Sequence, residues 1–346
     1  MINTECTPKQ ASYSMPAEWE HQSAIFLSWP LNPVTWVGVR EKMEKDYVAF
    51  AAAITRYEKL YINCITAELN RVKDLLADAN AVMERITFLD IPTNDAWCRD
   101  HGPVFLRNQN GQCAIAKFVY NAWGAKFSPW DLDDAVPYHI GKTLDYPVFP
   151  IDLICEGGAL ESNGEGFLLT TENVILNPNR NPGLTKERAE EILKEALGMT
   201  AVGWLKSGLV GDDTDGHIDT LARFFRNDAV LAAVDKKGSI QHDVLEQNFM
   251  DLCKMRLPSG SRLTVVPLPC PEPLYSPKGE ILPANYANYL PVNGAVLVPS
   301  YRQDKADAQA AAIIGEAYPG RDIVLLDCCE ILHEGGALHC LSQQGY

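Results

Sequence analysis

The stretch Glu156-Gly157-Gly158-Ala159-Leu160 returns letter for letter at Glu334-Gly335-Gly336-Ala337-Leu338. Each copy closely follows an apolar segment that ends in cysteine, Ile151 to Cys155 and Ile323 to Cys329. Coincidence is a poor account of five identical residues in a chain of 346, and a supersecondary unit used more than once is the better one. The continuations differ: Glu161-Ser162 follows the first copy and His339-Cys340 the second. The unit is thus repeated while the chemistry is placed on one copy.

Outward from these copies, strand and helix patterns alternate. Strands are expected at Ala24 to Trp29, Leu60 to Ile65, Ala114 to Tyr120, Phe167 to Thr171 and Val174 to Leu176. Others are expected at Ala229 to Val234, Leu263 to Leu268, Ala295 to Pro299 and Ile323 to Asp327. Residues 40–57 carry Met43, Tyr47, Phe50, Ile54 and Tyr57 at spacings of four and three, a helix face. Thr66 is placed to cap a helix bearing Leu69, Val72, Leu76 and Ala79. Thr185 caps another, with Ala189, Ile192, Leu193, Ala196 and Leu197 on one face and Gly198 ending it. Helices are also expected around 243–254 and 305–317, the second stopped by Pro319-Gly320. Asn177 to Gly183 is a Pro/Asn/Gly loop. No linker or low-complexity stretch divides residues 1–346, which read as a single α/β domain.

Hydrophobic residues make up 47%, enough for a large core and against disorder. The net charge of −15 argues against nucleic acid or an anionic membrane as partner, since both need basic patches, and it suits a cationic substrate. Ten cysteines contain no C-x-x-C pair, so neither a zinc ribbon nor a thioredoxin-type site is indicated; reduced thiols in a cytoplasmic protein fit best. Met1 to Pro16 lacks the apolar run of a secretory signal, and no apolar run reaches the ~20 residues of a membrane helix.

Three segments could carry chemistry. Asp212-Asp213-Thr214-Asp215-Gly216-His217-Ile218-Asp219 packs four carboxylates and an imidazole into eight residues. Such crowding is costly unless a cation is bound or some groups diverge. An acidic solvated turn is the plain alternative, but on a strand His217 and Asp219 would share a side, as a site would need. Asp95 to Pro103 gathers Trp97, Arg99, Asp100 and His101 beside a Gly-Pro turn. That is either a ligand loop or an Arg99–Asp100 ion pair with Trp97 in the core. Cys340 follows a Gly-Gly turn that can present its thiol sharply, although most single cysteines are inert and buried. A metal-dependent hydrolase built on Asp212, Asp213, His217 and Asp219 remains possible from composition, but leaves the pentapeptide repeat and His339-Cys340 unexplained.

At these segments the chain resembles the agmatine deiminase family, guanidine-modifying enzymes of the pentein superfamily related to bacterial peptidyl-arginine deiminases. The likeness runs from Met15-Pro16-Ala17-Glu18-Trp19-Glu20 and Leu27-Ser28-Trp29-Pro30 through Trp97 to Pro103 and Asn121-Ala122-Trp123-Gly124. It continues in Glu156-Gly157-Gly158, Asn177 to Pro182, Gly216 to Asp219, and His339-Cys340 with Gln343-Gln344. The resemblance implies the pentein fold, a pseudo-fivefold α/β propeller of ββαβ-type units with a central site. It implies a nucleophile at Cys340, an acid/base at His217, guanidinium-binding carboxylates at Asp100 and Asp219, and substrate contacts at Trp97 and Asp213. No metal or organic cofactor is implied. The expected reaction takes agmatine to N-carbamoylputrescine and ammonia, feeding putrescine and polyamine synthesis. Peptidyl-arginine and free arginine are the alternatives within the class. Glu334 and Ala337 stand where the agmatine enzymes carry Gly and Asn, and Asp213 where they carry Glu. These differences leave the guanidinium chemistry intact and bear on the substrate. A homo-oligomer is compatible with everything above. So is a non-catalytic guanidine binder, or an amidinotransferase, which would need a second amine to turn over.

Overall fold

A computed structural model describes residues 1–346. Five small sheets share one pattern: an antiparallel strand pair, then a helix, then a third strand parallel to the second. In blade I, Val104–Asn108, Cys113–Val119 and Val148–Ile154 are joined across helix Asp131–Leu144. Blade II uses Glu161–Ser162, Phe167–Thr171 and Ala201–Leu205 with helix Lys186–Leu197. Blade III uses Ala222–Arg226, Ala229–Val234 and Thr264–Pro269 with helix His242–Lys254. Blade IV uses Leu290–Val292, Ala295–Ser300 and Asp322–Asp327 with helix Asp304–Ala317. A helix between the parallel strands is what such a pairing needs, because a tight turn cannot connect them.

Blade V closes the ring with both ends of the chain. Ser342–Gly345 pairs antiparallel with Ala24–Ser28, Gly345 opposite Ala24 and Ser342 opposite Leu27. Ala24–Ser28 then runs parallel to Leu60–Asn63 across helix Arg40–Tyr57, and Ile86–Leu89 adds a fourth strand. The result is the pseudo-fivefold propeller of ββαβ units implied by the resemblance. Each helix lays one face on its own sheet. On Arg40–Tyr57 the buried side chains include Met43, Tyr47, Phe50 and Ile54, as the spacing requires, each worth about 1.5–3 kcal/mol in burial. Thr185 caps its helix by accepting from the Arg188 N–H, and Gly198 ends it with φ +67°.

Several expectations are corrected. Val174 to Leu176 is no strand: Glu172–Ile175 forms one helical turn, an ambiguity inherent in apolar runs this short. Thr66 caps nothing; it opens a single 3-10 turn, Thr66–Glu68, and its N–H donates to Asp90 Oδ1 at 2.9 Å. His217-Ile218-Asp219 is not extended either, because Ile218–Thr220 is a 3-10 turn. The helix Asp131–Leu144 has no counterpart in the sequence reading, since Pro137 and Gly141 interrupt its pattern. Gly141 lies against the neighbouring strand, where an added Cβ would meet Val148 Cγ2 at 2.4 Å.

One regularity of the fold decides where the site lies. A short non-strand segment leads into the first strand of every blade: Cys98–His101, Gly157–Ala159, Ile218–Thr220, residues 285–288 and residues 337–341. These five lead-in segments, with Glu156 and His217 immediately before the second and third, supply the central polar side chains described next.

Candidate active site

Cys340 is 4% exposed and lies at the inner end of a cavity of about 110 Å³. Asp100 and Trp97 from the blade I lead-in line the same cavity, with Trp123 and Phe127 beside them. Asp95, Asp212, Asp213 and Glu334 line it as well, and no lysine or arginine does. Trp97 is both core and wall: it is 4% exposed and its ring lies 5.5 Å from that of Trp36.

Behind the cavity the groups converge. Asp100 Oδ1 accepts from Gly158 N–H at 3.1 Å and lies 3.5 Å from His217 Nδ1; its Oδ2 accepts from Trp123 Nε1 at 2.9 Å. His217 Nε2 stands 3.6 Å from Glu156 Oε2. Cys340 Sγ is 3.6 Å from Asp219 Oδ2, which also contacts His339 Nδ1 at 2.7 Å. Asp219 Oδ1 and both ring nitrogens of His217 are buried with no hydrogen-bond partner in the protein, an arrangement that a native fold tolerates mainly where a ligand comes to complete it. A Cβ on Gly158 would lie 2.5 Å from His217 Nδ1 and 2.7 Å from Asp100 Oδ1, so only glycine fits that floor.

The expected residues Cys340, His217, Asp100 and Asp219 are therefore brought together, with Trp97 in the wall. Asp213 lies farther out, exposed, its carbonyl accepting from Lys126 Nζ. The acidic run 212–219 diverges as its mutual repulsion requires. Asp215 turns away to Arg180 at 2.6 Å and Lys126 at 2.8 Å, and Asp212 Oδ1 accepts from the Thr214 hydroxyl and N–H. No three His, Cys, Asp or Glu side chains of the molecule converge as metal ligands would. The Arg99–Asp100 ion pair does not form: Arg99 reaches Glu18 at 3.4 Å and Gln344 Oε1 at 2.6 Å.

Glu156, His339 and Asn288 carry parts that the sequence reading did not assign. Glu156 is fully buried, held by Arg180 Nε at 2.8 Å and aimed at His217. Its presence in the repeated pentapeptide was the available signal. His339 bridges two carboxylates, Asp219 at 2.7 Å and Glu18 at 3.0 Å. Asn288 donates to Cys340 Sγ at 3.1 Å; nothing in its local sequence, Asn285-Tyr286-Ala287-Asn288, marks it.

The electrostatics follow from burial and mutual placement. Burial alone would lower the His217 pKa, but Asp100, Glu156 and Asp219 raise it to about 9, so the ring is an imidazolium at neutral pH. Burial pushes Asp100 up to about 6, with Asp219 and Glu156 adding to the rise and His217 opposing it. The Cys340 thiol is pushed well above the ordinary thiol range by burial, then by Asp219 and Asp100. Burial, Arg223 and Arg99 push His339 down while Glu18 and Asp219 pull it up. A neutral imidazole has one N–H, yet both nitrogens face carboxylate oxygens. Both carboxylates stay ionised despite their burial: Arg223, His339 and Arg99 hold Glu18 well below the carboxylate range, and His339, His217 and Arg223 hold Asp219 below it.

Known proteins resemble this chain along nearly its whole length. Residues 14–345 match the family model of Porphyromonas-type peptidyl-arginine deiminases. The agmatine deiminase of Stutzerimonas stutzeri is 33% identical, with 99% of this chain and 98% of that protein covered. The structure of Enterococcus faecalis agmatine deiminase superposes with a TM-score of 0.93 at 28% identity, covering 99% of this chain and 98% of the other. That of C. jejuni agmatine deiminase with substrate bound gives 0.87 at 31%, covering 96% of each. With the match running from before the first blade to the closing strand, the chain belongs to the agmatine deiminase and bacterial peptidyl-arginine deiminase family, hydrolases that act on C–N bonds.

Proposed function

We propose that the protein hydrolyses agmatine to N-carbamoylputrescine and ammonia, with residues 1–346 acting as one catalytic unit. The observation that carries this reading is the distribution of charge along the cavity. Asp100 lines it beside Cys340, with Asp219 behind, while Asp95, Asp212, Asp213 and Glu334 make the rest of the wall predominantly acidic, with His333 beside them and no lysine or arginine. A substrate with a guanidinium at one end and an ammonium at the other fits such a wall. Free arginine would bring its carboxylate among these acids with no lysine or arginine to receive it.

Asp100 and Asp219 hold the planar guanidinium by charge-assisted hydrogen bonds and fix its face toward Cys340. The bound cation offsets the two carboxylates that keep the thiol protonated, so on substrate binding the thiol releases its proton to solvent, and the sulfur takes a proton up again when the products leave. Sγ attacks the central carbon and a C–S bond forms. His217, already protonated, gives its proton to the departing nitrogen; the C–N bond breaks and ammonia leaves a cationic thiouronium. Neutral His217 then takes a proton from water as its oxygen attacks the same carbon. The C–S bond breaks, thiolate is regenerated, and the second water proton leaves with the products. The balance is guanidinium plus water to a ureido group plus ammonium.

The test is ammonia and ureido-product release with agmatine, free arginine and an arginine peptide, each with chelator, for the wild type and Cys340→Ala. Chelator-resistant turnover of agmatine, lost by at least about 10⁴-fold in the variant, is expected. Turnover surviving loss of Cys340 would falsify the mechanism. A preference for the arginine peptide would move the substrate assignment to the family's peptidyl branch.

A further inference from the structure

Two loops of the cavity wall come from different parts of the chain: residues 121–127, which carry Trp123 and Phe127, and residues 212–216, which carry Asp212, Asp213 and Thr214. Both are fastened to Asn179-Arg180, residues of the blade II loop that line no part of the cavity themselves. We propose that Arg180 is a positioning residue of the reaction: one edge of its guanidinium holds Glu156 against His217, the other holds the Thr214–Asp215 part of the wall, and the two are thereby kept in register. The proposal rests on His217 being the acid/base group of the hydrolysis.

Arg180 is only 2% exposed, a burial that a guanidinium tolerates when its donors are met. Nε donates to Glu156 Oε1 at 2.8 Å and reaches Oε2 at 3.1 Å. Nη1 donates to Asp215 Oδ2 at 2.6 Å and to Asn179 Oδ1 at 3.0 Å, and Nη2 donates to the Thr214 carbonyl at 2.9 Å. One rigid plane thus spans from the partner of His217 to the wall. The other loop is tied to the same place. Lys126 Nζ donates to the Asp213 carbonyl and to Asp215 Oδ1, and Asn121 Nδ2 donates to the Asn179 carbonyl at 3.2 Å. A Cβ on Gly124 would lie 2.4 Å from the Asn179 side-chain amide, so the two loops pack without a gap there.

Glu156 shows why such a clamp is needed. Burial opposes its charge, and His217 and Arg180 together keep it below the ordinary carboxylate range. Its Oε2 stands 3.6 Å from His217 Nε2, beyond a direct hydrogen bond, so its aim is set by Arg180. The other charges that face His217 are Asp100 from blade I and Asp212 and Asp219 from its own segment, and none of them pairs with Arg180. A lysine at 180 would carry the same charge on a single nitrogen, which can serve Glu156 or the Thr214–Asp215 wall but not both.

Arg180→Lys therefore keeps the charge and breaks the fork. Two readings are taken. One is the titration midpoint of His217, followed by ¹⁵N NMR of histidine-labelled protein and assigned by the signal lost in His217→Asn; it needs no turnover. The other is kcat and KM for agmatine. The expected midpoint is at least about one pH unit lower, because Glu156 leaves its place beside the ring, with kcat down about 10–10²-fold and KM up about two- to fivefold. Since the charge is kept, a lower midpoint reports the displacement of Glu156. A residue that merely supports the fold would lower the melting temperature and leave the midpoint where it was, and an unmoved midpoint overturns the proposal. A lower midpoint with wild-type KM overturns the link to the wall. If Arg180→Lys does not fold, Asp215→Asn is judged by the same readings, since asparagine tolerates the left-handed backbone at that position (φ +70°). A fall in midpoint that persists in about 1 M salt supports the proposal; no fall, or one that salt abolishes as it would a simple charge effect, overturns it. Cys340→Ala assayed in parallel separates the levels: activity retained there defeats the proposed mechanism, whereas activity lost there with an unmoved His217 midpoint in Arg180→Lys defeats only the present proposal.

Discussion

The two copies of Glu-Gly-Gly-Ala-Leu are identical in sequence and unlike in structure. The first ends one residue before the strand Glu161–Ser162, the second four residues before Ser342–Gly345, so equal letters occupy unequal positions in their blades. In the first copy every residue is buried: Glu156 faces His217 and Gly158 floors the site. In the second, Glu334 is exposed at the cavity's edge, accepting from Trp36 N–H at 2.8 Å, and Gly335 turns in the left-handed region at φ +89°. The propeller repeats its units, but the matching string marks neither an equivalent position nor a shared turn, since Gly157–Ala159 is a 3-10 turn and Gly335 is left-handed.

Substitutions at paired letters test this contrast. Glu156→Gln is expected to have the largest effect, about 10³-fold in kcat, because His217 loses its buried carboxylate partner. The sign of the accompanying pH effect is fixed. In the wild type, kcat/KM should rise through about 6 as Asp100 ionises and fall through about 9 as His217 loses its proton. Removing the Glu156 charge lowers the His217 pKa, so the alkaline limb should move to lower pH while the acid limb changes less. An unmoved alkaline limb would break the assignment of Glu156 as the charge that holds His217 protonated.

Gly158→Ala comes next, about 10²-fold in kcat/KM, since its Cβ must displace His217, Asp100 or both. Its counterpart Gly335→Ala meets nothing within 4 Å and should cost only the left-handed backbone, about 1 kcal/mol, visible in thermal melting and not in kcat. Equal losses in the two variants would mean that the copies are equivalent after all. Smallest is Glu334→Gln: KM for agmatine should rise about two- to fivefold at low salt with kcat unchanged, as for an exposed ion pair. Here raising the salt concentration should shrink the difference between variant and wild type, and a salt-independent difference would point to the lost Trp36 contact instead.

The sequence made most of the architecture legible because each blade helix carries its own apolar face and each inner strand its own apolar run. Met43, Tyr47, Phe50 and Ile54 needed no tertiary information. What escaped was set by neighbours distant in the chain. Pro137 and Gly141 hid a helix that packs on blade I, and Val174 lies in a helical turn too short for periodicity to identify. His217 and Asp219 were rightly paired for the wrong reason, as both reach the centre from a 3-10 turn rather than from one face of a strand. Chemically vivid residues could be singled out from type and clustering. Asn288 could not, since an amide in Asn-Tyr-Ala-Asn becomes informative only once blade IV places it on a sulfur 52 residues away in sequence. The stop before each blade's first strand was the usable signal, and it becomes visible only when all five blades are aligned.

Ring closure by Ala24–Ser28 and Ser342–Gly345 has a consequence for biosynthesis. Gly345 and Ala24 meet across almost the whole chain, and Cys340 stands two residues before the closing strand. While the polypeptide is being translated, blades I to IV can form from contacts among residues already made, but blade V cannot. Closing so large a loop is entropically costly and slow. Until residues 340–345 have left the ribosome, the four earlier lead-ins have no sulfur to act on. The nascent chain is thus chemically silent at this centre, and the docking of one C-terminal strand finishes the fold and delivers the thiol in a single event.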